Sequence, residues 1–297
     1  MENRLVFIVN SLRPLDPPLQ QLLAEYEVKS HQVVYTRYSG HATELAAKAC
    51  RKQASIIVAV GGDGTFSEVV QGILTSGETS VTLALIPNGT GNDFCRGQSL
   101  TFTAERFKRS LFSPVYRLLD VGKITINGKV RYFLNVADAG FGGFTTLLLN
   151  RQRRKGIRGG MSYSLAILRA FIHYKRPRVT ICVDDTLCYV GTLMMVAMCN
   201  SDTFGNGLII HPGATPDDGE MNVTLLGDVT FWDYIRNISK LRRGILIQHP
   251  QVFYLKGRHI SIQSVDGLIP VEADGEVCGD GNLEVDLVPG CLQLLVY

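Results

Sequence analysis

The chain has 297 residues, 45% of them hydrophobic and 19% charged, with a formal net charge of +3. That exceeds one domain of about 100–200 residues, so two domains are the default expectation, and the composition excludes a disordered, collagen-like or low-complexity protein. The longest apolar run, Leu193–Cys199, is far short of the roughly 18 residues of a membrane span, while seven cysteines without a CxxC pair and six histidines without HExxH argue against a disulfide framework or a zinc site.

After Met1-Glu2-Asn3-Arg4, the apolar Leu5–Val9 is too short for a signal peptide and reads as a first buried strand, so a cytoplasmic protein is expected. Further strand-like runs lie at Gln32–Thr36, Ser55–Val60 and Thr82–Ile86, separated by helical spacing at about Leu15–Glu27, His41–Lys52 and Thr65–Leu74. This alternation predicts a parallel sheet covered on both faces, with ligands beyond the carboxyl ends of its strands. After Val121 the pattern turns to hairpins, the first pairing Gly122–Ile126 with Lys129–Ala137 around Asn127-Gly128. Strands follow at Arg178–Val183, Thr192–Ala197, Met221–Leu226, Val252–Leu255, His259–Gln263, Leu283–Leu287 and Leu292–Val296, with one helix at about Met161–Tyr174. The expected organisation is an α/β domain over residues 1–121 and an antiparallel sandwich or barrel over 122–297, the last strand free to return to the first domain.

Two glycine loops follow neighbouring strands. The first, Gly61-Gly62-Asp63-Gly64-Thr65, leads from a strand into the helical Phe66-Ser67-Glu68, and the amides at such a helix start favour an anion. Thr65 and Glu68 fit a capping box that would begin the helix there. The spacing is neither GxxxxGK(S/T) nor GxGxxG, and Asp63 inside a phosphate loop calls for magnesium or water between it and the phosphates. A plain Gly-Asp-Gly turn is the other reading. The second loop, Pro87-Asn88-Gly89-Thr90-Gly91-Asn92-Asp93-Phe94-Cys95-Arg96, offers the Thr90 hydroxyl to phosphate, the Asp93 carboxylate to magnesium and Arg96 to hold Asp93, or else a turn with a helix cap. From Ala139 to Val183 there is no Asp or Glu, while Arg151, Arg153, Arg154, Lys155, Arg158, Arg169, Lys175, Arg176 and Arg178 are all basic. That stretch is either a solvated surface or one attracted to anionic lipid.

Gly-Gly-Asp-Gly-Thr at 61–65 paired with Pro-x-Gly-Thr-Gly-Asn-Asp-Phe-x-Arg at 87–96 resembles the diacylglycerol kinase catalytic-domain family, and the soluble bacterial-type lipid kinases match it in size. The resemblance continues through Thr36 with Gly40-His41-Ala42, Leu119-Asp120-Val121-Gly122, Asn135 to Gly142, Asp217-Asp218-Gly219 and Asp274-Gly275-Glu276, nearly the whole chain. It implies a nucleotide-binding domain like that of NAD kinases and phosphofructokinases joined to a β-sandwich, with ATP in the cleft between them. It further implies ATP contacts at Asn10, Thr36, Gly61, Gly62, Asp63, Gly64, Thr65, Phe66, Ser67 and Thr90, with Asp63, Asp93 and Asp120 serving the magnesium–nucleotide. By the same resemblance Glu276 is the proton acceptor, with Asp274 beside it, and Mg2+ is held by the Asp218 carboxylate and the carbonyls of Thr215 and Glu220. A type I turn before Met221 explains that last segment equally well. The chain departs from the pattern at Asn10-Ser11-Leu12-Arg13-Pro14, which lacks glycine, and at Gly140-Phe141-Gly142-Gly143, which lacks an acid.

The activity so implied is transfer of phosphate from ATP to the hydroxyl of diacylglycerol or a related lipid, giving phosphatidic acid and ADP. A sphingoid-base or ceramide kinase, an NAD kinase and a non-catalytic lipid- or nucleotide-binding module are the alternatives. A lipid substrate and transient contact with an anionic membrane surface, peripheral at the inner face, are expected, with no nucleic-acid partner and a homodimer left open. Met161–Tyr174, carrying Tyr163, Leu165, Ile167, Leu168, Phe171 and Ile172, reads as a membrane-docking helix or as one packed on the sandwich.

Overall fold

The structure is a computed structural model, and it describes residues 4–28, 32–78, 80–156, 160–205 and 207–297. Its packing divides the chain into two units, Met1–Val121 with Val288–Tyr297, and Gly122–Leu287.

The first unit alternates strand and helix: β1 (Leu5–Val9), α1 (Pro17–Val28), β2 (Gln32–Tyr35), α2 (His41–Arg51), β3 (Ile56–Gly61), α3 (Asp63–Ser76), β4 (Thr82–Pro87), then α4 (Asp93–Gly97) and α5 (Ala104–Phe112). The strands lie parallel in the order β2-β1-β3-β4, and the end of the last strand of the chain adds beside β4, with Gln293 opposite Thr82. Every residue of β1 and β3 is buried, which is why both read as unbroken apolar runs. Asp16 starts α1 by accepting the Leu19 amide at 2.9 Å, with Pro17 at the first helical position, where a missing N–H costs nothing. The core on the α1 side joins Phe7, Val58, Ala84, Phe107 and Leu295, and the ring of Tyr297 lies 5.8 Å from that of Phe107.

The second unit begins within β5 (Val115–Ile126) and continues through β6 (Lys129–Phe133), β7 (Val136–Gly140), α6 (Phe141–Arg154), α7 (Gly160–His173), β8 (Arg178–Val183), β9 (Thr186–Thr192), β10 (Met195–Cys199), β11 (Thr203–Phe204), β12 (Leu208–Ile209), β13 (Met221–Leu226), α8 (Phe231–Arg243), β14 (Val252–Gly257), β15 (His259–Ser264), β16 (Pro270–Ala273), β17 (Glu276–Asp280) and β18 (Leu283–Val296). One sheet has the antiparallel order β14-β13-β10-β7-β16-β17, and a second layer places β18 with β15, β8 and β9 on one side and β5 with β6 on the other. Alternate residues of both, among them Phe133, Ala139, Ile181, Val223, Ile260 and Val271, form one core, so this unit is a β-sandwich.

The structure corrects several expected elements. The strand predicted at Thr192–Ala197 divides into β9 and β10, because the chain turns at Leu193-Met194. Helices α4, α5, α6 and α8 were not foreseen. Helix α6 opens on Phe-Gly-Gly, which reads as loop, whereas α8 carried a legible signal in Thr230 and Asp233, which form a capping box. Arg158 of the basic stretch lies outside the described residues.

Candidate active site

β3 and β4 are in register up to Gly61 opposite Pro87, and the Asn88 amide donates to the Gly61 carbonyl at 2.6 Å. Both glycine loops therefore leave the sheet side by side. A β-carbon on Gly89 would lie 2.5 Å from the Cα of Gly62, so only glycine lets these two backbones meet. Asn92 closes the second loop, accepting from the Gly89 amide at 3.0 Å and donating to its carbonyl at 3.1 Å. Asn10 Nδ2 donates to Thr65 Oγ1 at 3.0 Å, and the neighbouring Ser11 amide and hydroxyl bond Thr36 at 3.4 and 2.6 Å. Asn10, Thr36, Thr65 and both loops thus gather at the carboxyl ends of β1 to β4, while Thr90 stays exposed.

Helix α3 starts at Asp63, with Gly62 as its N-cap and no side-chain cap. The expected Thr65–Glu68 capping box does not form, because the extended Gly62 starts the helix before Thr65. Glu68 instead accepts from the Gly40 and Ala42 amides at 2.8 and 3.1 Å and so caps α2. The early start also turns Phe66 and Ser67 inward, 1% and 2% exposed. Of the loop Gly61 through Ser67 expected to meet ATP, Phe66 and Ser67 are thus buried and Gly64 is exposed.

Asp93 is buried and Asp63 half-buried. Burial raises the Asp63 pKa first, and the charge of Asp93 raises it further, while the Phe94 amide donates to its Oδ1 at 3.4 Å. Arg96 bonds and neutralises Asp93. Asp120 is buried too, but its Oδ1 accepts the Gly290 amide at 2.7 Å, which ties the returning strand to this unit.

In the second unit, β16 and β17 are joined by Asp274 and Gly275, whose φ values of 49° and 82° are those of an Asp-Gly hairpin turn. Both Asp274 oxygens accept backbone amides, from Leu134 and Asn135, at 2.9 Å. Asp274 thereby fixes the turn, and Glu276 stands exposed beside it. The Gly275 amide donates to Glu272 Oε2 at 2.7 Å, and Glu272 sits opposite Asp138 of β7. Asp138 is fully buried and Glu272 nearly so, and Asp138 Oδ1 accepts the Gly143 amide of α6 at 3.0 Å. Burial pushes the Asp138 carboxyl up to about 7, and burial together with Asp138 lifts Glu272 well above the usual carboxylate range. Sequence reasoning missed this pair, whose signal was a single acid in each of two otherwise apolar strands. It also missed Asn200, whose side chain donates to the Leu134 carbonyl at 2.7 Å.

Residues 135–296, more than half of the chain, match the family described as YegS C-terminal NAD kinase beta sandwich-like domain, and residues 9–124 match the diacylglycerol kinase catalytic domain. The chain belongs to the diacylglycerol kinase family of lipid kinases. This lipid kinase is 29% identical over 260 residues to diacylglycerol kinase of Bacillus subtilis (strain 168), a match spanning 86% of this chain and 81% of that protein. Its fold is that of a diacylglycerol kinase from Bacillus anthracis str. Sterne, with a TM-score of 0.71 at 20% identity over 99% of this chain and 97% of that one. The NAD kinase from Archaeoglobus fulgidus in complex with ATP shares it more loosely, with a TM-score of 0.54 at 12% identity over 98% and 92% of the two chains. The expected nucleotide-binding α/β domain and β-sandwich are therefore the architecture of this kinase, whose family implies ATP as co-substrate.

Two places in the kinase have donors for magnesium. The turn before β13 exposes Thr215, Asp218 and Glu220, but Asp218 Oδ1 already accepts the Glu220 amide at 3.0 Å. Lys256 pairs with the Glu220 carboxylate at 2.8 Å, and Arg258 donates to the Gly219 carbonyl at 2.9 Å. Asp63 and Asp93 are the second place: burial and then the Asp93 charge raise Asp63, a divalent ion would offset the second of these, and Arg96 already pairs with Asp93. Among the described residues no three acidic, histidine or cysteine side chains converge on one point.

Proposed function

We propose that the kinase transfers the γ-phosphoryl group of ATP to the free hydroxyl of diacylglycerol, giving phosphatidic acid and ADP. The observation that carries this reading is the Asp274-Gly275-Glu276 turn, which two side chains bond rigidly to backbone amides and which leaves the Glu276 carboxylate facing solvent. Glu276 takes the hydroxyl proton as the lipid oxygen bonds to phosphorus and the bond to the β-phosphate oxygen breaks. The backbone of Gly61–Gly64 and the open first turn of α3 favour phosphate oxygens, and Thr90 adds a hydroxyl. Mg2+ would be held by Asp63 and Asp93, with the turn at Thr215, Asp218 and Glu220 as a further site. When bound it neutralises charge on the phosphates. Contact of the basic 151–178 stretch with an anionic membrane belongs to the same reading.

The deciding experiment is transfer of labelled phosphate from ATP to diacylglycerol in mixed micelles, beside sphingosine, ceramide, monoacylglycerol and NAD. Labelled phosphatidic acid, lost when magnesium is chelated, is the expected product; transfer only to another acceptor would overturn the substrate, and silence throughout the reaction. Glu276→Gln is expected to cut turnover by about two to four powers of ten with the fold intact. Near-normal turnover would remove Glu276 from the base role.

A further inference from the structure

Helix α8 has 13 residues and no buried residue, although it carries Phe231, Trp232, Tyr234, Ile235, Ile238 and Leu241. Its inner side is set by aromatic contacts, since Phe231 and Tyr234 lie 5.1 and 5.5 Å from the ring of Phe171 on α7. The outer side, at helical spacing, is Trp232, Ile235, Arg236, Ser239, Arg242 and Arg243, and all six are exposed. Trp232 is 65% exposed and Ile235 45%. Helix α7 continues the theme. It buries Ala166 and Ala170 and leaves Leu168 and Ile172 46% and 69% exposed, one on each side of Phe171 in the sequence. Large apolar side chains left in water on the outer side of α8 are an unpartnered face.

The charge on α8 names the partner. Its outer side has three arginines and no acid, and its one acid, Asp233, is held in the capping box with Thr230. Arginines that keep their heads in water while the stems lie along apolar surface, next to an exposed tryptophan, suit the boundary between headgroups and acyl chains. A second protein surface would be expected to bring acids or apolar cover of its own. An anionic bilayer supplies both negative charge and an apolar phase. We propose that the outer side of α8 docks this kinase on an anionic lipid surface through Trp232 and Ile235. The choice of a lipid surface rests on the lipid-kinase assignment.

Trp232 is the only tryptophan of the chain, so its fluorescence reads this one face without a label. With phosphatidylglycerol vesicles containing no diacylglycerol and no ATP, the emission is expected to move to shorter wavelength and to be quenched by brominated acyl chains. Phosphatidylcholine vesicles should change it little, and raised salt should reverse it. Ile235→Glu is expected to weaken vesicle partitioning about tenfold or more, from withdrawal of a buried branched side chain, while the unfolding transition stays in place because the residue is exposed. Arg236→Glu combined with Arg242→Glu should abolish the preference for the anionic lipid. Unchanged Trp232 emission with every vesicle would overturn the proposal, as would vesicle binding insensitive to these variants. A spectral shift that appears without lipid as protein concentration rises would assign the face to a second copy of the chain instead. Phosphate transfer to a short-chain, dispersed diacylglycerol needs no docking, so its presence or loss reports on the proposed reaction separately.

Discussion

Asp138 and Glu272 carry the largest electrostatic cost among the acids described for the second unit, and their neighbours explain how it is met. Cys199, Tyr174, Cys278 and Asp274 are the titratable groups that act on or feel the pair, and burial or carboxylate charge keeps the thiols and the phenol protonated. Two adjacent buried carboxyls retain a proton, because water is absent and each raises the other. The sign of the pH effect follows. Asp138 is raised from its usual range to about 7, so the folded form holds a proton that the unfolded chain releases. That contribution is complete below about pH 4 and is lost as the pH rises through 7. Asp138→Asn keeps an acceptor for the Gly143 amide and a donor toward Glu272. It is expected to flatten the decline in stability between about pH 4 and 7, a decline of up to about 1.4 kcal/mol per pH unit for one proton. Urea unfolding at several pH values checks this, and an unchanged slope would show that Asp138 does not hold the proton. Because Glu272 also bonds the Gly275 amide, the same titration acts next to Glu276.

Helix α2 shows how an element can depend on another for its end. Its N-cap, Gly40, has a positive φ and no side chain, so the orphan amides of the first turn are satisfied from α3, by both oxygens of Glu68, while Thr43 Oγ1 donates back to the Glu68 carbonyl at 2.9 Å. Glu68→Ala is expected to lower stability by about 1–3 kcal/mol and Glu68→Gln by less, since the amide retains one acceptor. Denaturant midpoints decide between them, and equal losses would contradict the capping role. The same contact explains why the capping box read from Thr65 and Glu68 was wrong: local spacing gave a donor and an acceptor, but a better pair of amides lay on the neighbouring helix. At α8 local spacing was enough, because Thr230 and Asp233 satisfy each other within one turn, even with His249 at 3.8 Å from Asp233 Oδ1.

At the scale of the molecule, the parallel sheet of the first unit is completed only by the far end of the chain. Leu292, Leu294 and Leu295 are buried, Thr82 Oγ1 donates to Gln293 Oε1 at 2.7 Å, and Tyr297 joins Phe102 and Phe107. The segment 1–121 expressed alone therefore leaves an edge of β4 bare and a hole in the core. It is expected to give no cooperative calorimetric transition, and a transition like that of the intact protein would show that residues 288–297 are dispensable. What the sequence by itself determined is what short-range periodicity encodes: the buried strands β1, β3 and β4, the change to hairpins after Val121, the two glycine loops and the Asp274-Gly275 turn. Those depend on neighbours a few residues apart. Only the tertiary structure decided that Glu68 caps α2, that Phe66 and Ser67 face inward, that Asp120 is engaged by Gly290 and that Asp274 is held by Leu134 and Asn135. It alone paired Asp138 with Glu272 and left the outer side of α8 uncovered. Each of these is a contact over long sequence separation, or the lack of one, and a pattern read along the chain carries no information about which distant donor, acid or apolar face will meet it.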